Sequence, residues 1–216
     1  MTAANDQISA LQGATMNSFT VPQTAVKHDT TPVSTAFPSV TSFLPTLKIL
    51  NVGCGNSILP EEMYDTDGYR EIYSMDIAPH CIEVMKQRNL ERRPSLVWHV
   101  MDCLNLQYEN EFFDIIIDKS TVDALITGNQ AYKKVAKMTK ECQRVLKTGG
   151  FFVSVSFGQP ESRAKHFKRP HLNFSPVQSV KLNAESNSPA PNYAYICQKL
   201  EGANKVCKAN WQVTLD

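Results

Sequence analysis

Residues 112–120 read FFDIIIDKS, and the three consecutive isoleucines leave no polar face. A strand of that composition has to be covered on both sides, as the strands of a parallel sheet are. The same segment therefore demands helices above and below the sheet. The flanking sequence supplies them. KILNV (48–52) is a short apolar strand, followed by a glycine-bearing turn and a helix starting near Ser57. EIYSMDI (71–77) is a second strand ending at Asp76. APHCIEVMKQRNLE (78–91) is a helix with Pro79 in its first turn and Ile82, Met85 and Leu90 on one apolar face. SLVWHVMD (95–102) is the third strand and FFDIIIDKS the fourth. AYKKVAKMTKECQRVL (131–146) puts Val135, Met138, Cys142 and Val145 on one side of a helix that is expected to stop at Gly149 and Gly150. FFVSVSF (151–157) is the fifth strand.

Repeated strand–helix alternation at crossover length predicts a doubly covered α/β sheet. The tail breaks the pattern: VQSVKLN (177–183) and NYAYICQKL (192–200) are separated by a loop without helical filling, so they are expected to close the sheet as an antiparallel hairpin. Residues 1–46 are rich in Ser, Thr, Ala and Pro and keep neither a period of 2 nor of 3.6; they are read as a flexible or atypical N-terminal segment ahead of a domain spanning 47–216.

Charge and cysteine content narrow the setting. Residues 51–146 carry an acidic excess and residues 147–216 a basic one, within a near-neutral whole. That basic excess is either an ordinary solvated surface or a rim for an acidic protein or nucleic acid. RAKHFKRPH (163–171) is its densest part and is read as an exposed loop or as part of that rim. The six cysteines include no CxxC pair, which argues against a zinc knuckle and a small disulfide scaffold and for a reducing, cytoplasmic setting with the nucleus open. No stretch is long and apolar enough to span a bilayer, and no secretory leader is visible. His99, inside the third strand, has no visible nucleophile or metal partner and is read as packing or strand-end solvation.

The chemistry concentrates at strand ends. Gly53 and Gly55 in NVGCGNS follow the first strand directly, where glycine permits a tight turn and close approach of backbone to a ligand. Asp76 ends the next strand, where a carboxylate can accept from two ribose hydroxyls. A dinucleotide fingerprint would place a third glycine at position 58, which here is Ile58; a cofactor without pyrophosphate is favoured. Asp102 ends the third strand and either faces solvent or accepts from an adenine amino group, with the Cys103 N–H against a ring nitrogen. Asp118 ends the fourth strand. It either orients an amine substrate near the cofactor's reactive end or lies beside a short helix capped by Ser120 or Thr121, with Asp123 in its first turn. Phe157, ending the fifth strand, is an aromatic candidate for stabilising a developing cation and equally a core residue.

ILNVGCGNS, YSMDIAPHCIEVM, WHVMDCLNLQYENEFFDIIIDKSTVDALI and ECQRVLKTGGFFVSVSF resemble successive motifs of the seven-strand class I methyltransferases. More narrowly, GCGNS joined to DKSTVDAL resembles the branch of protein lysine methyltransferases that modifies translation elongation factor 1A. The similarity runs over residues 47–159. It implies a Rossmann-like, mostly parallel sheet with an antiparallel C-terminal hairpin and helices on both faces. It also implies S-adenosyl-L-methionine as cofactor, S-adenosyl-L-homocysteine as product, no metal, and a monomer acting on a protein, with elongation factor 1A first among targets. By position it places Gly53, Cys54, Gly55 and Asn56 around the cofactor's methionine part, Asp76 and Ile77 at the ribose, Asp102 and Cys103 at the adenine, and Asp118, Lys119 and Ser120 along the cofactor wall and substrate channel. The alternatives are an RNA or small-molecule methyltransferase and a catalytically silent cofactor-binding protein. Members of the branch begin with an aromatic, acidic segment that closes over the site, whereas residues 1–46 contain no Trp or Tyr, only Phe19, Phe37 and Phe43.

Overall fold

A computed structural model describes residues 46–182 and 191–215 of the 216-residue chain. The calls made on residues 1–45, including the aromatic segment, lie outside them. Seven strands form one sheet in the order β3-β2-β1-β4-β5-β7-β6. They are β1 (Lys48–Val52), β2 (Glu71–Asp76), β3 (Val97–Val100), β4 (Phe113–Lys119), β5 (Leu146–Ser156), β6 (Gln178–Lys181) and β7 (Tyr193–Gln198). The first five run parallel, while β7 lies antiparallel between β5 and β6. The expected C-terminal hairpin is therefore present, with its second strand inserted against β5.

The isoleucine run explains the layering. Ile115 and Ile117 pack with Ile49, Ile72, Met63, Ile82 and Met85 on one face; Ile116 packs with Leu50, Val52, Phe152, Val135, Met138 and Cys142 on the other. The first face is covered by α1 (Leu59–Asp65) and α2 (Pro79–Asn89). The second is covered by α4 (Ala131–Val145), which follows the short α3 (Thr121–Ile126). Beyond β5 come α5 (Pro160–Arg163) and a 3₁₀ turn (Ala164–Phe167), and α6 (Ala203–Leu215) ends the chain. Because right-handed crossovers return each helix antiparallel to its strand, the loops after β1, β2, β3 and β4 gather at one sheet edge.

Three sequence expectations are corrected, and one helix is new. Leu90 is not on the buried face of α2; it is 64% exposed, and Asn89 is buried instead, its Nδ2 donating to the Met85 carbonyl at 2.8 Å. Seven residues from Ile82 make nearly two full helical turns, which returns Asn89 to the sheet side and turns Leu90 outward. Gly149 and Gly150 do not stop α4. Leu146 is already extended (φ −76°, ψ 135°), and the glycines lie within β5, where its register against β4 shifts between Phe113 and Ile115. The basic run 163–171 is not an exposed loop: Arg163, His166, Phe167, Arg169 and His171 are buried, leaving Lys165 and Lys168 outside. Helix α6 has no counterpart in the sequence reading. Its Trp211 sits edge-on to His171, 5.1 Å between ring centres, and its Thr214 hydroxyl lies 3.0 Å from His171 Nδ1.

His99 is a packing residue, with Nδ1 2.8 Å from the Tyr108 hydroxyl. All six cysteines are free thiols. No helix among the described residues is long and apolar enough to cross a membrane.

Candidate functional site

The two turn glycines have different structural reasons. Both adopt positive φ, 62° at Gly53 and 52° at Gly55, a left-handed conformation that costs an L-residue about 1–2 kcal/mol. A Cβ on Gly53 would overlap the Thr121 hydroxyl and come within 2.9 Å of its methyl. That hydroxyl donates to the Val52 carbonyl at 2.9 Å, so Gly53 leaves room for α3 to lock onto the turn. Gly55 has nothing within 4 Å of where its Cβ would project. The opening expected for a ligand is therefore at Gly55.

Asp76 ties that opening to β2. Oδ2 accepts from the Gly55 N–H and Oδ1 from the Ala78 N–H, each at 2.9 Å, so one carboxylate fixes the turn after β1 and the start of α2. An ionised carboxylate has about four acceptor positions, and these bonds occupy two. The remaining two match the paired hydroxyls of a ribose. The end of β3 is held alongside, since the Met101 N–H donates to the Asp76 carbonyl at 2.9 Å. Asp102 is exposed there; its Oδ1 accepts from the Leu104 N–H at 2.8 Å, and its Oδ2 has no hydrogen-bond partner among the described residues. Ile77 is 69% exposed immediately after Asp76, and Val100, Asp76's register partner, is exposed as well. Bare aliphatic side chains flanking two carboxylates fit a nucleoside, whose base has apolar faces and a polar edge. A cavity of about 400 Å³ lined by Lys86, Leu90, Arg93 and Trp98 lies elsewhere, between α2 and β3, and includes none of these residues.

Both thiols at this edge are pushed toward the protonated form. Burial first, and the nearby carboxylate of Asp76 next, push Cys54 up to about 12. Burial, then Asp102, push Cys103 to about the same value. Asn56 is exposed at the turn.

Asp118 does not face a substrate. It has 0% exposure; Oδ1 accepts from the N–H groups of Thr121 (2.8 Å) and Val122 (3.3 Å), and Oδ2 from the Ser154 hydroxyl at 2.6 Å. The orienting role expected of it is corrected to a capping role: the first N–H groups of α3 lack intrahelical partners, and this carboxylate supplies one. Ser120, the residue before α3, makes no side-chain cap and takes a left-handed conformation (φ 69°), with its N–H on the Val155 carbonyl at 2.9 Å. Burial pushes the Asp118 carboxyl up to about 6 against the opposing pull of its hydrogen bonds from Ser154, Thr121 and Val122. Lys119 and Ser120 are exposed at the end of β4, beside the end of β5.

Asp123 lies in the first turn of α3, as expected. It is buried and paired with Arg163 at 2.8 Å, and it accepts from the Ser156 hydroxyl at 2.6 Å. Phe157, just past β5, is 57% exposed and so is not a core residue. Ser154, Ser156 and Arg163 are the site-shaping residues that the sequence did not single out, and Thr121 was read only as a helix cap. Small hydroxyl residues carry no distinctive pattern, and Arg163 lay inside a run that reads as surface charge.

An open, mostly parallel sheet with a 3-2-1-4-5-7-6 order and an antiparallel β7, its carboxyl edge formed by a glycine turn after β1, a carboxylate ending β2 and another just past β3, defines the class I methyltransferase fold. Residues 50–154 match the family model described as a methyltransferase domain. Solved structures of the same fold include an S-adenosylmethionine-dependent methyltransferase from Methanosarcina mazei (TM-score 0.55, 17% identity, 76% of this chain and 98% of that one). Another is geranyl diphosphate C-methyltransferase from Streptomyces coelicolor in complex with S-adenosyl-L-homocysteine (TM-score 0.54, 13% identity, 74% and 79%). Residues 50–154 of this chain thus form a methyltransferase domain, on the fold of the class I S-adenosylmethionine-dependent methyltransferases. The chain is similar to the eEF1A lysine and N-terminal methyltransferase of Homo sapiens, 34% identical over 165 residues, 72% of this chain and 24% of that protein. It is similar also to EEF1A lysine methyltransferase 4 of Bos taurus, 32% identical over 139 residues, 61% and 54%. The chain thus spans about a quarter of the first of these relatives and about half of the second.

Proposed function

We propose that this chain is a protein-lysine N-methyltransferase that uses S-adenosyl-L-methionine, acts as a cytoplasmic monomer, and has elongation factor 1A as its first candidate substrate. The observation that carries the reading is Asp76, bridging the Gly55 turn and the α2 entry while keeping acceptor positions free at the open edge. The names of the similar proteins point to the substrate.

The bound cofactor supplies a methyl group already activated on a sulfonium centre. The residues of this chain therefore need to bind, orient and exclude water rather than generate a nucleophile. Asp76 would hold the ribose hydroxyls, with Ile77 beside the adenosine. Asp102 would accept from the adenine amino group, with the Cys103 N–H toward the ring. Gly55 leaves room for the methionine portion beside Cys54 and Asn56, and Lys119 and Ser120 border the far side. The incoming amine must arrive neutral, and the exposed ring of Phe157 offers a face to the cation that develops on it. Burial of Arg163 and Arg169 removes the two guanidinium groups in the run 163–171 that would have contacted phosphates, which favours a protein over an RNA substrate.

The test is incubation of the purified chain with S-adenosyl-L-methionine and recombinant elongation factor 1A, read by intact-mass and peptide mass spectrometry. A mass gain of one or more methyl groups on a lysine supports the reading. Tight cofactor binding without methylation of that protein or of any other in a cytosolic extract would refute the enzymatic assignment and leave a silent cofactor-binding protein.

A further inference from the structure

Immediately after β5 the chain presents Phe157 to solvent, yet the backbone that carries it is held by buried side chains. The Phe157 N–H donates to Asp123 Oδ2 at 3.4 Å, the Gly158 N–H to the Ser156 hydroxyl at 2.9 Å, and the Gly158 carbonyl accepts from the buried Tyr195 hydroxyl at 2.6 Å. Ser156 in turn donates to Asp123 Oδ1 at 2.6 Å and accepts from Arg163 Nε at 2.8 Å, while Arg163 Nη2 reaches Asp123 Oδ1 at 2.8 Å. A Cβ on Gly158 would overlap the Arg163 guanidinium, so the turn and the ion pair are packed against each other without slack. The guanidinium carbon lies 6.0 Å from the centre of the Phe157 ring.

Burying an ion pair is a poor way to gain stability, because desolvation offsets most of the attraction and an apolar pair would serve as well. It is a good way to fix a geometry. Asp123 belongs to α3, which begins with Thr121, whose hydroxyl holds the Val52 carbonyl at the glycine turn. One six-residue helix is thus pinned at Thr121 to the cofactor side and at Asp123 to the Phe157 turn, with Asp118 capping it from beneath.

We propose that Asp123, Ser156 and Arg163 form a positioning unit that holds Phe157 as the acceptor-side contact, and that α3 sets the span between this ring and the methyl donor. The three residues are positioning residues, since they act through Phe157 and do not touch the reacting atoms. This rests on the functional reading above: an amine entering beside Phe157 meets an aromatic face whose place relative to the donor is rigid. Misplacement by about 1 Å is enough to slow an aligned transfer about 10²-fold.

The test uses the full chain with 4-fluorophenylalanine at position 157, together with D123N, S156A, F157L and F157Y. In the unaltered background the fluorine resonance is expected to be shifted from its free-chain position. In D123N, and independently in S156A, it is expected to move toward that position and sharpen. Transfer to the acceptor protein is expected to fall about 10–10²-fold in kcat/KM in D123N and F157L. The dissociation constant for S-adenosyl-L-methionine is expected to stay within about twofold, and F157Y to recover most of the rate lost in F157L. A fluorine resonance unmoved by both D123N and S156A overturns the positioning unit. Equal loss of cofactor affinity and transfer in D123N overturns the acceptor-side assignment. Absence of transfer by the unaltered chain, with the fluorine shifts as expected, overturns the enzymatic reading and with it the acceptor role of Phe157, while the mechanical linkage stands.

Discussion

Replacing Gly53 by Ala separates packing from ligand binding at the glycine turn. The new residue keeps φ near 62°, which costs about 1–2 kcal/mol in the left-handed region. Its Cβ also displaces Thr121, whose hydrogen bond to the Val52 carbonyl contributes about 1 kcal/mol, and overpacking at such a contact adds about 1–3 kcal/mol. The sum, about 3–6 kcal/mol, is a large part of the stability of an ordinary domain. Gly55→Ala has the same backbone penalty but meets nothing within 4 Å, so it should destabilise by only about 1–2 kcal/mol. In that variant the added methyl group instead projects into the space assigned to the cofactor. Urea denaturation at constant m-value measures the first effect, and calorimetric titration with S-adenosyl-L-methionine measures the second. Thr121→Ala closes a double-mutant cycle: with the hydroxyl and methyl gone, Gly53→Ala should recover roughly 2 kcal/mol. A Gly53→Ala chain no less stable than Gly55→Ala, or a strictly additive cycle, would refute the argument.

Asp76→Ala removes an acceptor for two backbone N–H groups as well as for the ribose, and cofactor affinity is expected to fall by at least about 10²-fold in calorimetry, since each charge-assisted hydrogen bond is worth about 1.5–3 kcal/mol. Burial raises Asp118 from its ordinary value to about 6, so the folded state holds a proton that the unfolded state has already released. That contribution is full below about pH 4 and is lost as pH rises through about 6. Asp118→Asn should abolish this slope in urea titrations and be as stable as the parent at pH 7; a steep loss of stability there would show that the charge is required. His171 runs the other way: burial, and then Arg169, depress it to about 4, so its contribution is present above about pH 6.5 and is lost as pH falls through about 4. His171→Gln should flatten the acid limb of the stability profile, and an unchanged limb would shift the acid sensitivity to His166, which burial depresses to a similar value.

Local sequence determined the layers and the placing of carboxylates at strand ends. Three isoleucines in a row can be buried only by alternating between two covered faces, and an aspartate at the end of an apolar strand in a parallel sheet is carried to the carboxyl edge, whichever way its side chain then turns. Those features depend on strand period and sheet direction, which neighbouring residues set. Tertiary structure decided the direction and partner of each remaining polar side chain. Asp118 and Asp76 look alike in sequence, each closing a strand before a helix, yet Asp118 is sealed beneath α3 with Ser154 on the adjacent strand, while Asp76 keeps acceptor positions at the open edge. The glycine of NVGCG that looked made for a ligand is needed by Thr121, a contact 68 residues away in the chain. Arg163, in a run that reads as surface charge, turns inward because Asp123 and Ser156, 40 and 7 residues distant, converge on it. Such partners are brought together by the closing of the sheet, and no local pattern records where a long charged side chain will find its counter-ion.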